Sequence, residues 1–238
     1  MAYVGFSTGD FENPSLSLNN RVKFCDYLGE ALELLFETPK DLFDFRLTSN
    51  MIKEIMEHKY VTIHAPFKNI KYKSDKNTDI ILKKLKYLCK KLPIKGIVIH
   101  PNVIVDFLKL DESGLPFLIE NMDKTKSIGT HPSHFSEYVK KYKFNFVFDV
   151  QHAFEHDPSM KLGKEIIKVM GTRLQHMHVS GCNKRHNHYP TFISDNKKNI
   201  TKILNMKIPV PKILEGFLVI DFRNIAIDEI KFIESFEK

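Results

Sequence analysis

The chain is organised around one stretch, FNFVFDVQHAF, which spans residues 144–154. Phe146, Val147 and Phe148 favour a β-strand, and the run is too apolar for a solvent-exposed sheet. Asp149 ends this run, and His152 follows three residues later. The pattern is typical of a buried parallel strand with metal-ligand side chains at its carboxyl end. A single Asp-x-x-His is equally compatible with a structural role, so its repetition along the chain is what matters.

Similar apolar runs recur from one end of the chain to the other, with starts about 20–40 residues apart. That spacing leaves room for a crossover helix and its loops between parallel strands. Eight strands are predicted: Ala2–Ser7, Ala31–Phe36, Tyr60–Ala65, Gly96–His100, Pro116–Glu120, Phe144–Asp149, Leu174–Val179 and Lys212–Gly216.

The segments between these strands have the periodicity of amphipathic helices. In Thr78–Leu92 the apolar positions fall at i, i+4, i+7 and i+11, and lysines fill the opposite face. Ser133–Tyr142, Ser159–Met170 and Asp228–Phe236 are similar, with Asp157 or Ser159 available as a helix cap. The helix after the fourth strand should be short, because only residues 103–110 are available before a turn.

Eight β-α units without a linker predict a (β/α)8 barrel, with residues 1–238 forming a single domain. An open doubly wound sheet is the alternative architecture. No glycine-rich phosphate loop follows any predicted strand, which disfavours nucleotide-binding folds.

Composition places the chain among ordinary globular proteins, with 42% hydrophobic and 27% charged residues. No apolar run approaches the length of a membrane span, and no signal peptide is visible, so we expect no membrane association and a cytoplasmic location. Three widely spaced cysteines also fit a reducing compartment. The net charge of +7 suits a polyanionic partner, although lysine-rich helix faces produce the same excess.

The predicted strands share a feature at their carboxyl ends: five consecutive ends, and then a sixth, carry a histidine or a carboxylate. These side chains are His64, His100, Glu120, Asp149 with His152, His178 and Glu215, and a loop adds His186 and His188. A barrel gathers such ends at one mouth. Unpaired carboxylates and crowded imidazoles are costly to bury there, and divalent cations relieve that cost. Mixed nitrogen and oxygen ligands favour Zn²⁺, with Mn²⁺ or Fe²⁺ as alternatives. His176 points the same way as His178 but one layer deeper, so we expect it to pack against or support the ligands.

These residues resemble the endonuclease IV group of apurinic/apyrimidinic (AP) endonucleases, which belongs to the xylose-isomerase-like barrels. The matching segments are His64-Ala65-Pro66-Phe67, Ile99-His100-Pro101, Ile119-Glu120-Asn121, Asp149–Phe154, Met177-His178-Val179, His186–Pro190 and Ile213-Leu214-Glu215. The resemblance spans about residues 30–220 and is clearest from the third to the sixth strand.

The resemblance implies up to three zinc ions per chain. Carried over by position, His64, His100 and Glu120 would hold the first ion, and Glu120, Asp149, His178 and Glu215 the second. His152, His186 and His188 would hold the third. The family has an aspartate where this chain has His186, so the third site loses one negative charge.

The resemblance also implies contacts to DNA. Lys40 stands where the family has an arginine that enters the DNA, and Phe67 stands where it often has an intercalating tyrosine, which a phenyl ring can replace by stacking. Basic residues on the predicted mouth loops, including Lys68, Lys184 and Arg185, can neutralise phosphates.

The function implied is a metal-dependent phosphodiester hydrolase that cleaves DNA at abasic sites in base-excision repair, with Glu120 and Glu215 as catalytic carboxylates and a monomer expected. The alternative is a sugar isomerase or epimerase of the same barrel group. Such an enzyme needs one divalent metal, for which Glu120, Asp149, His178 and Glu215 suffice. A metal-binding module without catalysis is a third interpretation.

Overall fold

A computed structural model describes residues 2–10, 17–25, 28–216 and 223–237. Eight strands in these residues form one closed, all-parallel barrel, in which each strand pairs with the next and the last pairs with the first. The strands are β1 Val4–Ser7, β2 Ala31–Leu35, β3 Tyr60–His64, β4 Ile94–Ile99, β5 Phe117–Glu120, β6 Asn145–Asp149, β7 Leu174–Val179 and β8 Lys212–Leu214. The predicted (β/α)8 barrel is confirmed, and every strand agrees with its predicted position within about two residues.

Helices occupy the crossovers between the strands. They are α1 Leu18–Cys25, α2 Pro39–Asp44, α3 Ser49–Met56, α4 Lys76–Lys91, α5 Phe107–Asp111, α6 Pro132–Lys141, α7 Val150–His156, α8 Lys161–Met170, α9 Lys197–Leu204 and α10 Arg223–Glu234. As expected, α5 is short, and a 3₁₀ turn, Pro101–Val103, precedes it. α4 buries Ile81, Leu85 and Leu88 against the barrel, which follows its apolar periodicity.

Side chains alternate between the two faces of each barrel strand. Ile97 and Ile99 of β4 point outward into the main core, whereas Val98 joins Leu118 and Val147 in a small separate cluster. The residues two positions after these three are His100, Glu120 and Asp149. The alternation therefore places three ligand candidates directly above an apolar layer inside the barrel.

None of the helices in the described residues combines the length and the apolar character that crossing a membrane requires.

Candidate metal centre

The carboxyl ends of the barrel strands bring most of the predicted ligands together. His64, Glu120 and Asp149 are the last residues of β3, β5 and β6, and His178 is the penultimate residue of β7. His100 and Glu215 directly follow β4 and β8. Four groups of side chains in the described residues have ligand atoms within 4.8 Å of one another, and three of these groups lie at this mouth.

The first group contains His64, His100 and Glu120. The Nε2 atoms of the two histidines are 3.1 Å apart, and they lie 3.4 Å and 3.0 Å from Glu120 Oε2. These separations are close to the edges of a tetrahedron of ligands around zinc, which are about 3.3–3.4 Å for bonds of 2.0–2.1 Å. The geometry matches the first predicted ligand set.

The second group contains Glu120, Asp149, His178 and Glu215. His178 Nδ1 lies 2.8 Å from Glu120 Oε1 and 3.4 Å from Glu215 Oε1. Glu120 thus directs one oxygen to the first group and the other to the second. All four side chains of the second predicted set are together, with Glu120 in the bridging position.

The third group contains Asp149, His152 and His188. Asp149 caps α7 by accepting a hydrogen bond from the His152 backbone N–H at 2.7 Å. This cap holds the two residues of the predicted Asp-x-x-His pair in a fixed relative position. His152 Nδ1 lies 2.8 Å from the Asn121 carbonyl oxygen, an outer contact of the kind that orients metal-binding imidazoles.

His186 does not join the third group in the described structure. Its side chain is exposed and stacks on the Tyr189 ring at 6.0 Å between centroids. The third member of the group is instead Asp149, which also belongs to the second group. Ligation by His186 remains a prediction.

Two carboxylate oxygens of the mouth indicate that these groups fit cations. Glu120 Oε2 and Asp149 Oδ2 are buried and accept no hydrogen bond from the described residues. A buried carboxylate oxygen without a partner is costly, and a divalent ion is the partner that the surrounding imidazoles also suit.

The titration of these groups is set by burial and by mutual charge. Burial acts to raise the pKa of Glu120, but the charge of His178 and the other imidazoles around the carboxylate outweigh it, so that pKa lies well below the usual value. The pKa of Glu215 is raised well above the usual value by burial and by the charges of Glu120 and Asp149. Burial lowers the pKa of His100 to about 4, so its imidazole is neutral near pH 7, as metal ligation requires.

A cavity of about 510 Å³ opens onto the three groups. Phe67 lies at its wall with its ring 4.6 Å from that of His100, and Lys68 and Lys126 also line it. The other predicted DNA contacts are not part of the lining. Lys40 is exposed and paired with Asp44, and Lys184 and Arg185 lie on the exposed part of the loop after β7.

The sequence interpretation missed one buried group below the mouth, formed by Glu33, His176 and His178. Glu33 lies in the middle of β2 and is fully buried. A signal was present, since Glu33 is the only charged residue in the predicted buried strand Ala31–Phe36. His176 was expected to pack against or support the ligands, and it contacts His178.

No family model matches the chain, and no curated protein matches it at a significant level. Solved structures do match along its whole length. Endonuclease IV from Thermus thermophilus gives a TM-score of 0.71 at 12% identity, covering 98% of both chains.

A D-tagatose 3-epimerase-like protein gives a TM-score of 0.67 at 16% identity, covering 98% of this chain and 96% of the other. AP endonuclease, family 2, from Brucella melitensis gives 0.62 at 12% identity, covering 100% of both chains. At such identities the likeness establishes the fold, which endonucleases and epimerases share.

Proposed function

We propose that this chain is a metal-dependent phosphodiester hydrolase that cleaves DNA at abasic sites. The observation that carries the proposal is the convergence of three ligand groups on one cavity, with Glu120 and Asp149 each belonging to two of them. Shared carboxylates hold cations close together, which is the arrangement that in-line displacement at a phosphodiester uses.

In this proposal the first ion is held by His64, His100 and Glu120, and the second by Glu120, Asp149, His178 and Glu215. The third is held by His152 and His188 with Asp149, and His186 is its further predicted ligand. Zinc fits the donor set, and Mn²⁺ or Fe²⁺ are alternatives. Bound divalent ions supply positive charge that polarises the phosphoryl group and makes water nucleophilic at neutral pH.

The chain's own side chains then have separate tasks. Glu120 fixes the first two groups relative to each other because its two oxygens point to different histidines. Glu215 is proposed to orient the attacking water from its position in the second group, beside the cavity.

The wall of the cavity suits a nucleotide without a base. Phe67 presents an aromatic ring, and Lys68 and Lys126 bring positive charge to the lining. An abasic nucleotide has lost its stacking and pairing, so turning it into a pit costs less than turning an intact one. Lys40, Lys184 and Arg185 are proposed to contact phosphates outside the cavity, where their exposure makes them accessible to a duplex.

The test is nicking of a duplex with a single abasic site by the purified protein loaded with Zn²⁺, Mn²⁺ or Fe²⁺. A duplex of the same sequence with an intact base at that position is the control. We expect cleavage of the abasic strand only. Failure to nick with any of the three metals would contradict the proposal.

A second candidate is an isomerase or epimerase of sugars that uses one divalent ion. The group of Glu120, Asp149, His178 and Glu215 is complete without the other two, and the similarity to a D-tagatose 3-epimerase-like protein is comparable to that of endonuclease IV. His152→Ala separates the two functions because His152 lies outside that group. It should abolish phosphodiester cleavage but leave most of an isomerase activity on ketoses.

A further inference from the structure

The residues Glu33, His176 and His178 form a polar cluster in the interior of the barrel, below the mouth. All three side chains are fully buried. His176 lies beside Val147 in the pairing of β6 with β7. Inside the barrel, this layer of side chains is therefore apolar on β6, at Val147, and carries an ionisable histidine on β7. The hydrolase proposed above needs neither Glu33 nor His176.

The spacing within this inner cluster resembles that of the first group at the mouth. The Nε2 atoms of His176 and His178 are 3.2 Å apart. Glu33 Oε1 lies 3.3 Å from His178 Nε2, and Glu33 Oε2 lies 3.6 Å from His176 Nε2. The corresponding separations among His64, His100 and Glu120 are 3.1, 3.4 and 3.0 Å. Both triangles approximate the ligand edges of tetrahedral zinc, which are about 3.3–3.4 Å.

Hydrogen bonds explain the arrangement of the inner cluster less well than a bound cation does. Glu33 Oε2 accepts a hydrogen bond from Thr62 Oγ1 at 2.8 Å and has His178 Nε2 at 3.4 Å, but Oε1 accepts none from the described residues. That oxygen is buried and lies 3.3 Å from His178 Nε2, but the two atoms form no hydrogen bond. A buried carboxylate in this state is costly unless a cation faces it.

The surroundings orient both histidines for ligation. Tyr60 Oη lies 3.0 Å from His176 Nδ1, so the other ring nitrogen of His176 remains directed at Glu33 and His178. A hydrogen bond on the outer nitrogen is usual for metal-binding histidines. His178 turns Nδ1 to Glu120 and Nε2 to the inner cluster.

We infer that Glu33, His176 and His178 form an additional site for a divalent transition metal such as zinc, inside the barrel and separate from the three groups at the mouth. Two imidazoles and one carboxylate are a donor set that zinc uses. When the second group at the mouth is also loaded, His178 coordinates one ion through each ring nitrogen as a bridging imidazolate and releases its ring proton to solvent. The negative charges of Glu33 and this imidazolate together balance a divalent ion.

The first test uses the wild-type protein, crystallised with zinc, and anomalous diffraction on both sides of the zinc absorption edge. We expect a peak within bonding distance of Glu33, His176 and His178, distinct from any peak at the mouth. A map with peaks only at the mouth, or with none, overturns the inference. The positions of the peaks are compared because the total zinc content does not show which site holds each ion.

The second test compares zinc per chain in His176→Gln and His100→Gln by mass spectrometry, with circular dichroism to confirm folding. His176 belongs only to the inner cluster and His100 only to the first group at the mouth. Each variant should lose about one ion, and the double variant about two. Full zinc retention by a folded His176→Gln protein overturns the inference and leaves the cluster as hydrogen-bonded support for His178.

The outcome is independent of the reaction at the mouth. Nicking of abasic DNA without an inner zinc peak would support the proposed function and reject the inner site. An inner zinc peak in a protein that does not nick abasic DNA would support the inner site and reject the proposed function.

Discussion

At the scale of single residues, Glu120 is the side chain on which two of the proposed ions depend. Its oxygens lie 3.0 Å from His100 Nε2 and 2.8 Å from His178 Nδ1, and its side chain is buried. Glu120→Gln keeps the shape but removes the charge. Changing outer partners of metal ligands already costs about 10–100-fold, so the loss of a shared ligand should lower nicking by at least about 100-fold. Metal content, measured by mass spectrometry, should fall in parallel.

Asp123→Asn is the matched control for this experiment. Asp123 lines the same cavity but belongs to none of the ligand groups in the described residues. It should keep its metal and most of its activity. Equal metal content in wild type and Glu120→Gln would remove Glu120 from the bridging role.

His186 and His188 provide a second comparison between neighbouring residues. His188 belongs to the group with Asp149 and His152, whereas His186 is exposed on the loop. We expect His188→Ala to lose about one zinc ion per chain at pH 7 and His186→Ala to lose much less. Zinc per chain after dialysis against a weak chelator is the measurement. Equal losses would mean that the loop carries His186 to the third ion when metal binds.

Single residues also show which parts of the site could not be predicted from the sequence. Eight of the nine predicted ligands lie in the groups at the mouth, because each stands at a strand end, within three residues after one, or in the loop after β7. The inner carboxylate of Glu33 was missed because it lies in mid-strand, and only the closed barrel brings it to His176 and His178. His186 was assigned by loop alignment, and the conformation of a loop depends on packing that the local pattern does not report.

At the scale of elements, the strands were predictable because burial on both faces leaves nearly continuous apolar runs, such as Phe144–Asp149. Amphipathic periodicity similarly predicted α4 and α6 to within about two residues. The short helices α2, α3 and α9 were not predicted, since six to eight residues give too few turns for a clear period. The closing of the sheet into a barrel followed from the count of β-α units alone.

The start of α8 allows a prediction about stability. Met160, not the predicted Asp157 or Ser159, stands at the N-cap of α8, but Asp157 Oδ2 still satisfies a first-turn donor by accepting a hydrogen bond from the Leu162 backbone N–H at 2.9 Å. The loss of a cap costs about 1 kcal/mol, so Asp157→Ala should lower the melting temperature by about 2–4 °C in thermal unfolding at pH 7. Asp157→Asn, which keeps an accepting oxygen, should lower it by less. Identical melting of the wild type and the alanine variant would show that this cap is dispensable.

The same carboxylate has a defined pH dependence. Hydrogen bonds, first of all from the Leu162 backbone, lower the pKa of Asp157 from 3.8 to about 2. Because the folded-state pKa lies below the unfolded value, the ionised carboxylate stabilises the fold fully above about pH 4, and this contribution is lost as the pH falls toward about 2. The difference in unfolding free energy between wild type and Asp157→Asn should therefore narrow below pH 4. A difference that stays constant from pH 5 to pH 3 would contradict the assigned shift.

At the scale of the whole molecule, the net charge of +7 does not by itself indicate DNA, because many lysines lie on outer helix faces. Lys68 and Lys126 are different, since both line the cavity that holds the ligand groups. Each phosphate contact adds close to one unit to the slope of binding against salt on logarithmic axes. We therefore expect Lys68→Gln to weaken binding to abasic duplex at low salt and to reduce that slope by about one.

Lys86→Gln is the control for this last measurement. Lys86 is exposed on α4, outside the barrel, so the same charge change there should leave the slope unaltered.

Lys68 pairs with Glu37 at 2.8 Å on the surface. An exposed pair of this kind contributes at most about 1 kcal/mol, so it does not prevent the lysine from turning to a phosphate. Equal slopes for the two variants would place the phosphate backbone away from this cavity. Tight, salt-independent binding of a ketose by both variants would instead favour the isomerase, because a neutral sugar displaces no counterions from a nucleic acid.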